Sequence, residues 1–262
     1  MHNAAFRSLG LPFVYVALPV ENARVEEAVA GVRALGLAGV NVTVPHKEAV
    51  LPHLDRLSAR ARACGAVNTI VNRRGVLRGD NTDVVGLQRD WKEKGVATRI
   101  DTALVLGAGG SARAVVVALG SSCKRVLIAA RRPARARKLA TTLAGAVRAR
   151  LEPIDLARLR RGRPGAEKLL GEVALVVNAT SLGMKGEAFF PMDFEATPRT
   201  CFFYDLIYVS ERTPFLEEAH RARRRGANGL GMLLHQGAAA FELWTGVAPP
   251  IDVMRRSLRR AK

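Results

Sequence analysis

The 262-residue chain is poor in acidic residues, aromatics and cysteine, and it has no long apolar run. Cys64, Cys123 and Cys201 are too few and too scattered for a disulfide framework or a paired metal-ligand spacing. No metal is therefore expected, and a reducing cytoplasm is the expected compartment. Nothing approaches the ~20 consecutive apolar residues of a membrane helix. The opening Met1-His-Asn-Ala-Ala-Phe-Arg7 lacks the apolar core and cleavage site of a signal peptide.

Acidic residues number 23 against 41 basic ones, a net charge of +18. Residues 1–90 hold 11 basic and 8 acidic residues, or +3, which leaves +15 for residues 91–262. The excess lies at 131–138, 148–163, 221–225 and 255–262. Such a field favours anionic ligands and holds nucleic acid only weakly and without regard to sequence. With aromatics at 5% and no nucleic-acid motif, the expectation is no specific nucleic-acid partner. What is present is a globular composition, 48% hydrophobic and 24% charged, long enough for two domains.

Segments 13–18 and 39–44 read as short Val-rich strands flanking a helix over 21–35, where Val25, Ala28, Val29 and Val32 recur at helical spacing. Asp55 is expected to cap a helix running to Cys64. Residues 66–71 and 76–79 form a hairpin through Asn72-Arg-Arg-Gly75, and a helix over 82–94 leads out of the first unit. The second unit opens with an apolar strand over 102–106, running into Gly107-Ala-Gly-Gly-Ser-Ala-Arg113 and an Ala/Val-rich helix. A strand over 125–130 and a helix over 133–143 complete a βαβ unit. Strands over 174–178 and 201–207, a helix beginning at Pro214 and two closing helices over 231–244 and 253–260 follow. The fold class is α/β: an N-terminal α/β substrate domain (1–90), a Rossmann-like doubly wound parallel-sheet domain (91–230), and C-terminal helices (231–262) packing back on the first.

The glycine loop has a nucleotide-binding rationale. Gly107 permits a sharp turn, Gly109 lets backbone approach a pyrophosphate, and the following helix offers free N–H groups at its positive end. The next strand ends in Arg131-Arg132, with Arg135 one turn on, where an NAD site would place a carboxylate for the ribose hydroxyl. Guanidinium groups there suit a 2′-phosphate, so the expected cofactor is NADP. Lys47 stands at a strand exit, and Asp83 either caps a helix or pairs with that lysine to move a proton. These residues alone support an NADP-dependent reductase with a Lys/Asp pair.

Asn41-Val-Thr-Val-Pro-His-Lys47, Gly65-Ala-Val-Asn-Thr69, Gly79-Asp-Asn-Thr-Asp83 and Gly107-Ala-Gly-Gly110 resemble the shikimate dehydrogenase family in order and spacing. So do Asn178-Ala-Thr-Ser-Leu-Gly-Met184, Asp205-Leu-Ile-Tyr208, Thr213-Pro-Phe-Leu216, Asn228-Gly-Leu-Gly-Met232 and Gln236-Gly-Ala with Phe241-Glu-Leu-Trp-Thr-Gly246. The resemblance implies reversible, NADPH-dependent reduction of 3-dehydroshikimate to shikimate, a step of chorismate and aromatic amino acid biosynthesis. It implies Lys47 and Asp83 as the catalytic pair, and Thr43, Asn68, Tyr208 and Gln236 as substrate contacts. Gly107, Ala108, Gly109, Gly110 and Ser111 would cradle the pyrophosphate, and Arg131, Arg132 and Arg135 the 2′-phosphate. Thr180, Leu206, Gly229 and Met232 would line the nicotinamide, in a monomer or homodimer.

Three departures stand out. The family's Ser-x-Ser-Pro strand, expected before His2, is absent, and a further Ser-x-Ser segment upstream is the expectation. Asn-Arg-Thr after the cofactor strand is replaced by Ala130-Arg131-Arg132, and Ala59 stands where an acidic residue is usual. Competing readings are a quinate/shikimate dehydrogenase of broader range, a non-catalytic NADP-sensing relative and a basic nucleic-acid-binding module.

Overall fold

The computed structural model describes residues 1–120 and 122–260. Lys262, last of the basic run at 255–262, lies outside them. The chain divides into two compact units, Met1–Arg89 with Gly231–Lys262, and Asp90–Leu230.

The first unit begins with helices α1 (His2–Ser8) and α2 (Val25–Ala34), then strands β1 (Gly39–Asn41) and β2 (Arg56–Leu57). Helix α3 (Ala59–Cys64), the hairpin β3 (Thr69–Arg73) and β4 (Val76–Asp80), and helix α4 (Thr82–Glu93, in the first unit as far as Arg89) follow. The sheet order is β1-β3-β4-β2, antiparallel except for the parallel β4–β2 pair. Helix α2 buries Val25, Val29 and Val32 against Ile70 and Leu77 of the hairpin and Val67 before it. Full burial of each such side chain is worth about 1.5–3 kcal/mol.

Two expectations fail here for identifiable reasons. Residues 13–18 form no strand and pair with none. The Asn3 side chain takes the place of a neighbour, donating to Tyr15 O at 2.8 Å and accepting from Tyr15 N at 2.7 Å. Val14, Val16 and Leu18 are left exposed. Asp55 caps no helix: Arg33 and the Leu77 N–H engage its carboxylate. The cap belongs to Ser58, whose hydroxyl accepts from Ala61 N at 3.1 Å and donates to Asp80 at 2.7 Å.

The second unit holds β5 (Ile100–Leu106), α5 (Gly110–Leu119), β6 (Cys123–Ala130), α6 (Pro133–Leu143), β7 (Arg150–Asp155) and α7 (Ala166–Leu170). It continues through β8 (Leu175–Asn178), β9 (Phe202–Asp205), α8 (Pro214–Arg221) and β10 (Arg225–Asn228). All six strands are parallel, in the order β10-β9-β8-β5-β6-β7. The order reverses between β5 and β8, the switch point of a doubly wound Rossmann-like sheet. Central strands are buried on both faces, which is why β5 and β6 read as continuous apolar runs. The core continues into Phe194, Phe203 and Phe215, with ring centroids 5.3–5.8 Å apart.

The last helices, α9 (Leu230–Thr245, assigned to the first unit from Gly231) and α10 (Ile251–Arg260), pack with α1. Ala5, Phe6, Leu234, Ala238, Phe241 and Met254 form their common core. Arg73 donates to Leu243 O and Trp244 O at 2.7 and 3.1 Å, satisfying carbonyls at the end of α9, while Trp244 Nε1 donates to Ile70 O at 3.0 Å.

Candidate active site

In the first unit, polar groups converge where the β1 exit, the start of β3 and the start of α4 meet. Lys47 follows the loop leaving β1, and its carbonyl is fixed by Val67 N at 2.8 Å. Its ammonium donates to Asp83 Oδ2 at 2.6 Å, with side-chain exposures of 12% and 6% for the two residues. Burial this deep strengthens the attraction and makes either charge costly without the other. Asp83 therefore pairs with the lysine and does not cap α4.

Asn68, buried, donates from Nδ2 to Asp83 Oδ1 at 2.7 Å and to Thr82 Oγ1 at 3.0 Å. Its Oδ1 accepts from Thr82 N at 2.7 Å and Thr69 Oγ1 at 3.0 Å. An acceptor-only carboxylate on one side and a backbone N–H on the other fix which way this amide faces. Gln236 Oε1, from α9, lies 3.4 Å from Asn68 Nδ2 and 3.5 Å from Thr82 Oγ1. The close passage of α9 is possible because position 86 is glycine: a Cβ there would meet Met232 O at 2.7 Å. Thr43, on the same loop as Lys47, is exposed. A charged lysine, a carboxylate and fixed amides at one place can bind a hydroxylated ring and exchange a proton with it. Sequence reasoning passed over Thr82 and Asn41, whose Nδ2 donates to Thr69 Oγ1 at 3.2 Å. Both lay inside quoted motifs, and only their non-local partners single them out.

In the second unit, Gly107 leaves β5 with φ +114°, a conformation that L side chains rarely adopt. A Cβ there would stand 2.9 Å from Ala179 O and 3.2 Å from Thr180 Cγ2, so this turn abuts the segment leaving β8 at the switch point. Gly109 is the N-cap of α5, with no side-chain cap, and a Cβ on it would project into open space. The first N–H groups of α5 are thus unblocked at Gly110 and Ser111, as an anion cradle requires. Gly229, after β10, packs on Leu206, where a Cβ would meet its carbonyl oxygen at 2.6 Å. Gly107, Ala108, Thr180, Leu206 and Gly229 thus gather at the carboxyl ends of β5, β8, β9 and β10. Arg131, Arg132 and Arg135 are exposed at the end of β6 and the first turn of α6. Tyr208, also exposed, follows β9, whereas Met232 lies on α9 among first-unit residues.

Comparison with known proteins identifies the lineage. Residues 1–70 match the family described as "Shikimate dehydrogenase substrate binding domain", and residues 229–259 the "Shikimate 5'-dehydrogenase C-terminal domain". A shikimate dehydrogenase (NADP(+)) of Citrifermentans bemidjiense is 44% identical over 260 residues, 98% of this chain and 88% of the relative. A crystal structure of shikimate dehydrogenase in complex with NADP+ has a TM-score of 0.89 at 34% identity, covering 99% of this chain and 89% of the other. The Thermus thermophilus enzyme in complex with NADP(H) and shikimate has a TM-score of 0.84 at 37% identity, covering 100% and 93%. With this identity sustained over nearly its whole length, the chain belongs to the shikimate dehydrogenase family.

Proposed function

We propose that this chain catalyses the reversible, NADP-dependent reduction of 3-dehydroshikimate to shikimate in the cytoplasm. The observation that carries the reading is the buried Lys47–Asp83 pair at 2.6 Å, braced by Asn68 and Thr82. Its setting in a chain 44% identical to a shikimate dehydrogenase (NADP(+)) supplies the substrate. In this reading the unit of residues 1–89 and 231–262 binds the substrate, and residues 90–230 bind the cofactor.

NADPH supplies a hydride to the substrate carbonyl when bound. The chain's own residues do the rest. Lys47 stands as the charged group that polarises the carbonyl oxygen and delivers its proton, with Asp83 holding the ammonium in place. Thr43, Asn68, Tyr208 and Gln236 orient the ring hydroxyls and carboxylate. The open Gly109 cradle and the free N–H groups of α5 fit a pyrophosphate, and Arg131, Arg132 and Arg135 fit the 2′-phosphate. Thr180, Leu206, Gly229 and Met232 would line the nicotinamide.

The test is shikimate-dependent NADPH formation, run beside NAD, quinate and a Lys47→Ala control. Turnover with NADP and shikimate well above the control is the expected result. Equal rates with the control would overturn the reading, and a quinate rate matching that of shikimate would widen the substrate class.

A further inference from the structure

A buried polar cluster at the ends of β8 and β9 has no part in the chemistry described so far. Asp205, fully buried, accepts on Oδ1 from Asn178 Nδ2 at 2.9 Å and from Ile207 N at 3.1 Å. Its Oδ2 accepts from the Thr213 hydroxyl at 2.6 Å, and Thr213 caps α8. Asn178, also fully buried, turns its Oδ1 to Thr180, accepting from the Thr180 N–H at 3.1 Å and the hydroxyl at 2.7 Å. The Thr180 hydroxyl in turn accepts from Leu182 N at 3.1 Å.

This chain of bonds has a direction. An ionised carboxylate has no hydrogen to give, so the Asn178 amide must present its NH2 to Asp205. Its carbonyl oxygen then has only the Thr180 side to face. Asp205 thus braces the amide that holds Thr180, together with the Leu182 carbonyl, which accepts from the same Nδ2 at 3.4 Å, although Asp205 and Thr180 do not touch. Thr180 backs onto the Gly107 turn, so the setting is passed to the glycine loop as well. Burial pushes the Asp205 carboxyl up to about 6, so the ion is kept there against a desolvation cost. A neutral side chain would tie the loops together without that cost.

We infer that Asp205 is a positioning residue for the cofactor end of the reaction, acting through Asn178 on Thr180. The inference rests on the cofactor reading given under the proposed function. It assigns the Asn178–Asp205–Thr213 cluster to nucleotide affinity and hydride geometry, and not to fold stability alone.

Asp205→Asn keeps the shape and one acceptor oxygen but loses the charge that anchors the Asn178 NH2 and sets an NH2 against the Thr213 hydroxyl, which donates to Oδ2 in the native protein. The expected result is a rise of about tenfold in KM for NADP, the size of one lost charge-assisted hydrogen bond. A fall in kcat should accompany it, while KM for shikimate stays within about twofold, because Thr43, Asn68 and Gln236 lie on the other unit. Thr180→Val should behave similarly, and the double variant should be no worse than the more damaged single one. NADPH affinity, followed by nucleotide fluorescence without shikimate, should show the same tenfold loss. Unchanged NADP parameters alongside a shifted melting temperature would overturn the inference, as would additive effects in the double variant. A wild-type protein that binds NADPH but ignores shikimate would sink the functional reading and leave this one to be decided by the affinities. Absence of NADPH binding would sink both.

Discussion

Cutting the Lys47–Asp83 pair from each side should give unequal results, and the inequality follows from burial. Lys47→Met removes the 2.6 Å partner of Asp83 and leaves a carboxylate whose side chain is 6% exposed. Its other oxygen still accepts from Asn68 at 2.7 Å, which softens the loss. The cost should fall at the lower end of the range for a broken buried pair, about 3 kcal/mol. Asp83→Asn strands an ammonium on a flexible four-carbon stem that is already 12% exposed and can reach water. That change should cost about 1.5–2 kcal/mol, one hydrogen bond between charged groups. Replacing both partners, as Lys47→Met with Asp83→Leu, removes the desolvation cost with the attraction and should recover part of the loss, the buried Asn68 Nδ2–H left without its acceptor holding the variant about 1–2 kcal/mol below wild type. Turnover orders differently: Lys47→Met loses the proton-carrying group and should fall by about 10²–10⁴-fold, and the double variant should be equally inactive. Urea denaturation midpoints and steady-state rates on the three variants measure both orders. The reasoning is refuted if Asp83→Asn is the less stable single variant, or if Lys47→Met keeps its rate within about threefold.

Replacing Arg131 and Arg132 together by serine should raise KM for NADP at least about tenfold and leave that for NAD unchanged, because only the 2′-phosphate loses its grip; steady-state kinetics with the two nucleotides decide it. Burial lifts the folded-state pKa of Asp205 from 3.8 to about 6, so its contribution is favourable below 3.8 and is lost as pH rises through about 6. Relative to wild type, Asp205→Asn should therefore gain about 2 kcal/mol between pH 4 and pH 7; urea midpoints at the two pH values that shift in parallel would contradict this. Ser58→Ala removes both the α3 cap and a hydrogen bond to Asp80, and should lower stability by about 1–2 kcal/mol in thermal melts with no change in either KM.

The parts of the fold most legible in the sequence were those whose environment is uniform. Strand β5 and the helices on either side of β6 are surrounded by protein or follow strong stop signals, and α6 begins and ends where Pro133 and Leu143 indicated. In the six-stranded sheet the strands that escaped notice, β7 and β10, are its two edges, and in the other sheet the two-residue β2 was read as part of a helix. Half-solvated, β7 and β10 read as Arg-Leu-Glu-Pro-Ile-Asp and Arg-Gly-Ala-Asn, without the apolar signature of a central strand. At 13–18 the error ran the other way: the apolar pattern was there, but a strand also needs a neighbour, and an asparagine side chain took that role. Within the site, charge and motif register drew attention to Lys47 and Asp83, 36 residues apart. Asn178 and Asp205 had equal standing as letters in quoted motifs. Their partnership depends on β8 and β9 lying side by side, a tertiary fact no local window contains.

Those same edge strands bear on where the basic excess sits. An open parallel sheet ends in two rows of unpaired backbone groups, each a template for another strand. Here one edge places Pro153 mid-strand, where no N–H can be offered, and carries Arg150 outward. The other opens with the exposed Arg225 and Gly226. Arg150 pairs with Glu152 on its own strand at 2.8 Å, and the Arg225 guanidinium lies over the Phe202 ring, 5.7 Å from its centroid. Part of the arginine excess is thus placed along the two open edges of the sheet.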